Sequence, residues 1–308
     1  LGLSSMRHIH LVFVVSVVVL ATVVPSVLKA RATEQQMIVS VLDTDGAPID
    51  GLRPADFTVR EDGAAREVLH VGPVPDGRQI ALLVDTSEAA VHAVVDLRKG
   101  LTAFIEAMHE GNDISLISYG GVPRILVEST NSLSRLRDGA NSLFAFPGHA
   151  AYLLDAISET ARGFKRREMA RPVMVVLTTE GLDYSNVGPR RVLDQLNESG
   201  AAVHTVVLLG QTDGFSAAAL ATPQVELQHR RFERDLVLAR GPDQSGGSRR
   251  DLLASFAIER AMIEVATELR HQYLITYSRP DALIPPEDIE VSVTGAGVTV
   301  RSTPLKVG

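Results

Sequence analysis

The chain has 308 residues, 45% of them hydrophobic and 5% aromatic, with no cysteine, no tryptophan and a net charge of −7. That is enough apolar material for one sizeable core plus a smaller module, but it leaves no thiol for disulfides, metal sites or nucleophilic catalysis and little for an aromatic stacking platform. Lys and Arg are scattered apart from short clusters such as Lys165-Arg166-Arg167, which argues against nucleic-acid binding through phosphate neutralisation.

Met6 opens a short basic stretch, followed by an apolar run over residues 11–24 and an Ala-Arg-Ala site at residues 30–32. This is the layout of a secretory signal peptide, with cleavage expected after Ala32. The competing reading is an uncleaved anchor, because residues 9–28 supply about the 20 apolar positions that a membrane-spanning helix needs. Either way the expectation is export to a periplasmic, secreted or membrane-anchored location, with membrane attachment through residues 9–28 in the second case.

Residues 37–42 alternate in a β pattern, Asp45-Gly46 marks a turn, and residues 57–60 and 67–71 read as further strands around the Glu61-Asp62-Gly63 turn. Such a module is too small to stand without packing on something else. Residues 72–77, Gly-Pro-Val-Pro-Asp-Gly, read as a linker.

From Gln79 the pattern alternates between strand and helix. Residues 80–84, 114–117, 172–177 and 202–209 are continuous apolar runs of the kind expected for buried parallel strands. Residues 122–127 follow Gly120-Gly121 closely enough to be an antiparallel edge strand. Helices are expected over 91–108 (Val91, Val94, Val95, Leu101, Phe104, Ile105 and Met108 on one face), 132–142, 152–164 and 189–198. Residues 211–250 break the rhythm and read as an insertion, with a charged helix over 225–238 and a flexible stretch at 244–248. Arg230, Arg231 and Arg234 read as a solvated face of that helix, or else as a docking patch for an acidic partner or anionic lipid. Leu252, Phe256, Ile263, Ala266 and Leu269 indicate another helix, residues 273–277 a strand, and residues 288–301 a hairpin around Gly295-Ala296-Gly297. The expected fold is α/β: a doubly wound, mostly parallel sheet with helices on both faces, plus a small β module. The expected organisation is a signal or anchor at 1–32, an N-terminal β module at 33–76, an α/β domain at 77–280 with its insertion at 211–250, and a C-terminal β hairpin at 281–308 packed on the N-terminal module.

In such a sheet ligands sit outside the carboxyl ends of the strands. The run at 80–84 stops at Asp85-Thr86-Ser87, and the run at 172–177 stops at Thr178-Thr179-Glu180-Gly181. Three loops should therefore meet: 85–89, 147–152 and 178–183. Dispersed histidines without metal-ligand spacing, and the absence of G-x-S-x-G, G-x-G-x-x-G and P-loop motifs, give no enzyme class a footing. His149 is the histidine that lies in one of the three loops. Ser87 as a hydrolase nucleophile is the remote alternative.

This layout resembles the von Willebrand factor type A domain, and in particular its exported bacterial group with a leading β module. The likeness covers residues 36–303 and includes VSVLDTDGAPIDGLRPADFTVREDG before the Asp-x-Ser strand and ELRHQYLITYSRPD after the last helix. The resemblance implies a metal-ion-dependent adhesion site built from Asp-x-Ser-x-Ser, a threonine from a second loop and an aspartate before a glycine. Asp85 and Ser87 match the first two positions. The third falls on Ala89, the threonine position on Ala151, and the aspartate position on Glu180. The site reads as degenerate: no cofactor is expected, and the alternative is a weakly held Mg2+ or Mn2+ on Asp85, Ser87 and Glu180. Thr86, His149, Ala151 and Thr179 are expected to line the ligand face. On this reading the protein is an exported, non-enzymatic interaction protein with a protein partner. The alternative is a structural or assembly module of the cell envelope that uses the β modules and residues 211–250.

Overall fold

The computed structural model describes residues 32–210, 222–281 and 284–304. The apolar segment at 9–28 and residues 211–221 lie outside these. The chain enters through β1 (Ala32–Leu42), β2 (Phe57–Glu61), β3 (Ala64–Arg66) and β4 (Val68–Pro73), of which β3 was not foreseen. Residues 72 and 73, expected as linker, complete β4. β2 has the buried–exposed alternation of a strand with one wet face.

The next elements are β5 (Gln79–Val84), α1 (Val94–Met108), β6 (Asp113–Ser118), β7 (Arg124–Thr130), α2 (Leu133–Asn141), α3 (Leu153–Arg166), β8 (Pro172–Thr179), α4 (Pro189–Ser199), β9 (Ala202–Leu208), α5 (Gln224–Ser245) and β10 (Arg249–Leu252). They form a six-stranded sheet in the order β10-β9-β8-β5-β6-β7. Neighbouring strands run parallel except β7, which lies antiparallel at the edge. The order reverses at β5, so β5 and its neighbours set the crevice. All of β8 and β9 is buried, which explains their unbroken apolar sequences. One face packs on α1, α2 and α6 (Ile258–Arg270), the other on α3, α4 and α5.

The stretch at 211–250 is not an insertion over its described part. α5 is the crossover helix that a parallel β9–β10 pair requires, and β10 completes the sheet. The expected flexible stretch at 244–248 is packed. Gly246 ends α5 with φ of 72°, and a Cβ on Gly247 would sit 1.8 Å from the Val203 carbonyl oxygen. Of the basic run on α5, Arg231 is exposed and Arg230 partly so, but Arg234 is not on a solvated face: it is 3% exposed and shares the buried stripe with Leu227, Val237, Leu238 and Gly241. Conversely, three residues placed on apolar helix faces are open to solvent: Val95 (58%), Phe256 (80%) and Ile263 (44%).

β11 (Tyr273–Pro280), β12 (Ile289–Val293) and β13 (Thr299–Pro304) close the chain. β11 follows α6 after His271 and Gln272 but leaves the main sheet. It lies antiparallel between β1 and β4 in a sheet ordered β13-β1-β11-β4. The expected hairpin at 288–301 does not form, because β12 pairs with β2 and β13 with β1. Period-2 alternation on both sides of a glycine turn cannot distinguish a hairpin from two strands recruited by different sheets. The module core contains Met37, Val39, Val41, Phe57, Val59, Tyr273, Ile275 and Tyr277. It is joined to the α/β layers by a polar seam. There Glu268 of α6 accepts from Arg250 of β10 at 2.9 Å and Arg301 of β13 at 2.7 Å, and buried Arg78 donates to the Leu269 carbonyl at 2.7 Å.

Candidate functional site

Where β5 ends, Asp85 is 1% exposed. One carboxylate oxygen accepts from the Ser87 N–H at 2.8 Å, and the other from the Thr179 N–H at 3.3 Å and the Thr179 hydroxyl. Asp85 thus clasps the ends of β5 and β8, using both oxygens on protein donors. The Thr86 hydroxyl accepts from the Gly120 N–H at 2.9 Å. Only glycine fits there, since a Cβ on Gly120 would lie 2.1 Å from the Thr86 carbonyl carbon. Ser87 is buried, and the Glu88 N–H donates to the His149 carbonyl at 2.9 Å.

The second and third loops join the first through Ala151, which bridges Gly120 on one side and Asp183 on the other. The structure therefore brings Asp85, Thr86, Ser87, Ala151 and Thr179 together at the carboxyl end of the sheet, with His149 bonded to this cluster through its backbone. The His149 ring packs on Phe146, 5.0 Å between centroids. Glu180 departs from expectation. As a candidate cation ligand it would join Asp85 and Ser87, but its carboxylate accepts from the Gly210 N–H at 2.6 Å. The extra methylene lets it reach the loop after β9 instead.

Sequence reasoning missed two buried charges beneath these loops. Asp183 accepts from the Leu153 N–H at 2.7 Å and the Ser185 hydroxyl at 3.0 Å, capping α3 from a neighbouring loop; burial pushes its carboxyl up to about 6. Arg234 reaches up from α5 and donates to the Thr179 carbonyl and, at 3.3 Å, to the Thr178 hydroxyl. Its spacing from Leu227 and Leu238, i+7 and i−4, was the available signal that it shares their face. Tyr119, fully buried beside them, donates to the Leu177 carbonyl at 3.1 Å, and burial followed by the Asp85 charge raises its pKa.

A divalent cation of the magnesium type takes six oxygens in near-octahedral array. The donor set here does not fit one: two hydroxyl positions are alanine, both Asp85 oxygens are engaged, and Glu180 binds Gly210. Among the described residues no three His, Asp or Glu side chains gather as ligands, and Ser87 has no hydrogen bond to a histidine.

Exposed apolar side chains stand on the loops beside this floor. Asp96 and Arg98 on the first turns of α1 tie down a loop on each flank. Arg98 donates to the Leu143 carbonyl at 2.8 Å and stacks over the Phe144 ring at 4.7 Å, while Asp96 accepts from the Ser255 hydroxyl at 2.6 Å. Phe144, Phe146, Leu253 and Phe256 on these loops are all half-exposed or more.

Comparison with solved structures returns a von Willebrand factor type A protein from Catenulispora acidiphila, at 9% identity and TM-score 0.47 over 90% of this chain and 74% of that one. It also returns an aerotolerance-related membrane protein from Bacteroides fragilis (14%, TM-score 0.45, 62% of this chain and 100% of that one) and BatB from Bacteroides thetaiotaomicron (11%, TM-score 0.44, 62% and 98%). No protein-family model and no curated protein matches the chain. The antiparallel edge at β7 and the meeting of three loops at the carboxyl end of the sheet are as the sequence pattern predicts.

Proposed function

We propose that this chain, a mixed α/β protein of the type A fold with an added β module, is an exported, non-enzymatic interaction protein. Its binding face is the loop end of the main sheet, and it recognises a protein partner without a bridging divalent cation. The observation that carries this reading is the exchange of ligating for apolar groups at that end. The carboxylate that would hold a cation is consumed by Ser87 and Thr179, while exposed phenylalanines rim the opening. Aromatic anchors beside a polar floor are the composition that interface hot spots favour. Export rests on the layout between Met6 and Ala32.

A second reading, an assembly module of the cell envelope, draws support from α5, where Val225 and Phe232 are 80% and 65% exposed. A photo-crosslinking residue placed at Phe146, Phe256 or Phe232 in the producing cell separates the two. Discrete protein adducts from the first two positions are expected; adducts from Phe232 alone favour the assembly role. Calorimetry with Mg2+ and Mn2+ on the same protein is expected to show no heat. Binding heat that vanishes in Asp85→Ala would overturn the cation-free part.

A further inference from the structure

A doubly wound sheet is normally covered by helices on both faces. Here the coverage is uneven. On the side of α3, α4 and α5, the edge formed by β6 and β7 carries no helix among the described residues. Ile117 of β6 is only partly buried and Ile125 of β7 is 61% exposed. The resulting cleft, about 540 Å3, runs between these strands and the flank of α3, down to the amino-terminal end of β5 at Gln79. It is therefore distinct from the loops that follow the carboxyl end of β5.

Its lining is apolar below and cationic above. Ile117, Ile125, Phe164 and Met169 contribute the floor and the inner wall, and Arg124, Arg162, Arg166 and Arg167 contribute the rim. Glu128 and Glu159 also reach it. None of these six charged residues makes an ion pair or side-chain hydrogen bond among the described residues, so the cleft keeps a formal charge of +2 (four Arg against two Glu) in a chain whose net charge is −7. Arg162 and Arg166 stand one turn apart on α3 and line the same wall. Unpaired guanidiniums around a partly bared apolar surface suit a partner that is acidic at its margins and apolar along one stripe.

We propose that this cleft docks an acidic amphipathic helix of a partner protein, which supplies the missing helix over β6 and β7. A helix is the matching element because what lies bare is a sheet face. An apolar stripe at i, i+3 or i+4 and i+7 fills the space above Ile117 and Ile125, and Glu or Asp on either side meets the arginines.

The test is selection of random 16-residue displayed peptides on the full chain, followed by fluorescence anisotropy with the enriched sequences. Expected are peptides of net negative charge with apolar residues at helical spacing. They should bind the Arg162→Glu/Arg166→Glu variant at least tenfold more weakly and lose affinity between 50 and 300 mM salt, by roughly the counterion and screening effects of exposed pairs. Both arginines are exposed, so an unchanged melting temperature verifies that the variant is folded; Ile125→Asp, also exposed, provides an independent apolar-side control with the same expected loss. Enriched peptides with period-2 apolar spacing, with no net negative charge, or with unchanged affinity for both variants overturn the proposal, as does failure to enrich any sequence.

Discussion

Asp85 takes opposite signs in two kinds of site. A carboxylate kept for an absent cation is a liability, and its removal stabilises the protein. Here it satisfies two N–H groups and a hydroxyl in a buried position. Asp85→Ala is therefore expected to lower the unfolding free energy by roughly 2–4 kcal/mol, because buried donors lose charged acceptors, as read by urea denaturation. Stabilisation would identify the residue as a ligand in waiting. Two other buried groups make pH a probe. Burial holds His204 down to about 4 from 6.5, so on acidification the unfolded chain takes up a proton first and stability falls between about pH 6.5 and 4. Burial raises Asp183 to about 6 from 3.8, so the folded chain takes up a proton first and stability rises as pH falls through 6. The two largely offset each other. His204→Gln is expected to leave a protein that gains roughly 1–2 kcal/mol between pH 7 and 5, and Asp183→Asn one that loses a similar amount, measured by denaturant titration at both values. Identical slopes in the two variants would refute this pairing.

At the scale of elements, the apolar runs at 80–84, 114–117, 172–177 and 202–209 announced buried strands because parallel strands covered on both faces need no alternation. β10 was illegible for the opposite reason: Arg-Arg-Asp-Leu at a sheet edge carries no apolar signature, and Arg249 and Arg250 find their partners only in Asp251, Ser248, Glu264 and Glu268. The approach of this strand depends on Gly247, where any Cβ would run into the Val203 backbone. Gly247→Ala is expected to destabilise the protein by about 3 kcal/mol or more, since backbone cannot yield as a flexible side chain can, and to raise hydrogen exchange in β10 ahead of β8. The candidate site was legible as a location and as a set of losses at Ala89, Ala151 and Glu180. What sequence could not supply was where Glu180 turns, or that Arg234 leaves the solvated stripe to support Thr179. Both depend on loops far apart in the chain.

For the whole molecule, the boundary drawn near residue 280 divides something the fold keeps whole. β11 is an interior strand of the module sheet, bonded to β1 along one edge and β4 along the other, yet it follows directly from the last helix of the α/β layers. A fragment of residues 77–280 would bare both edges of β11 together with Ile275 and Tyr277, which are buried in the intact chain. Such a fragment is expected to be insoluble or to lack the cooperative transition of the intact chain, as exposed strand edges promote association; soluble expression with a single thermal transition would contradict this.

The pairing of β1 with β11 also decides how the molecule bears load. Ala32 lies opposite Pro280 and Val39 opposite Tyr273, so a pull at Ala32 is resisted from the Tyr273 end, where β11 joins α6. Tension between the start of the described chain and the α/β layers runs lengthwise through eight register pairs and shears them together, instead of peeling them one at a time. The loop end of the main sheet, joined to β1 through such a ladder, would carry force applied at Ala32 without first shedding the strands between them.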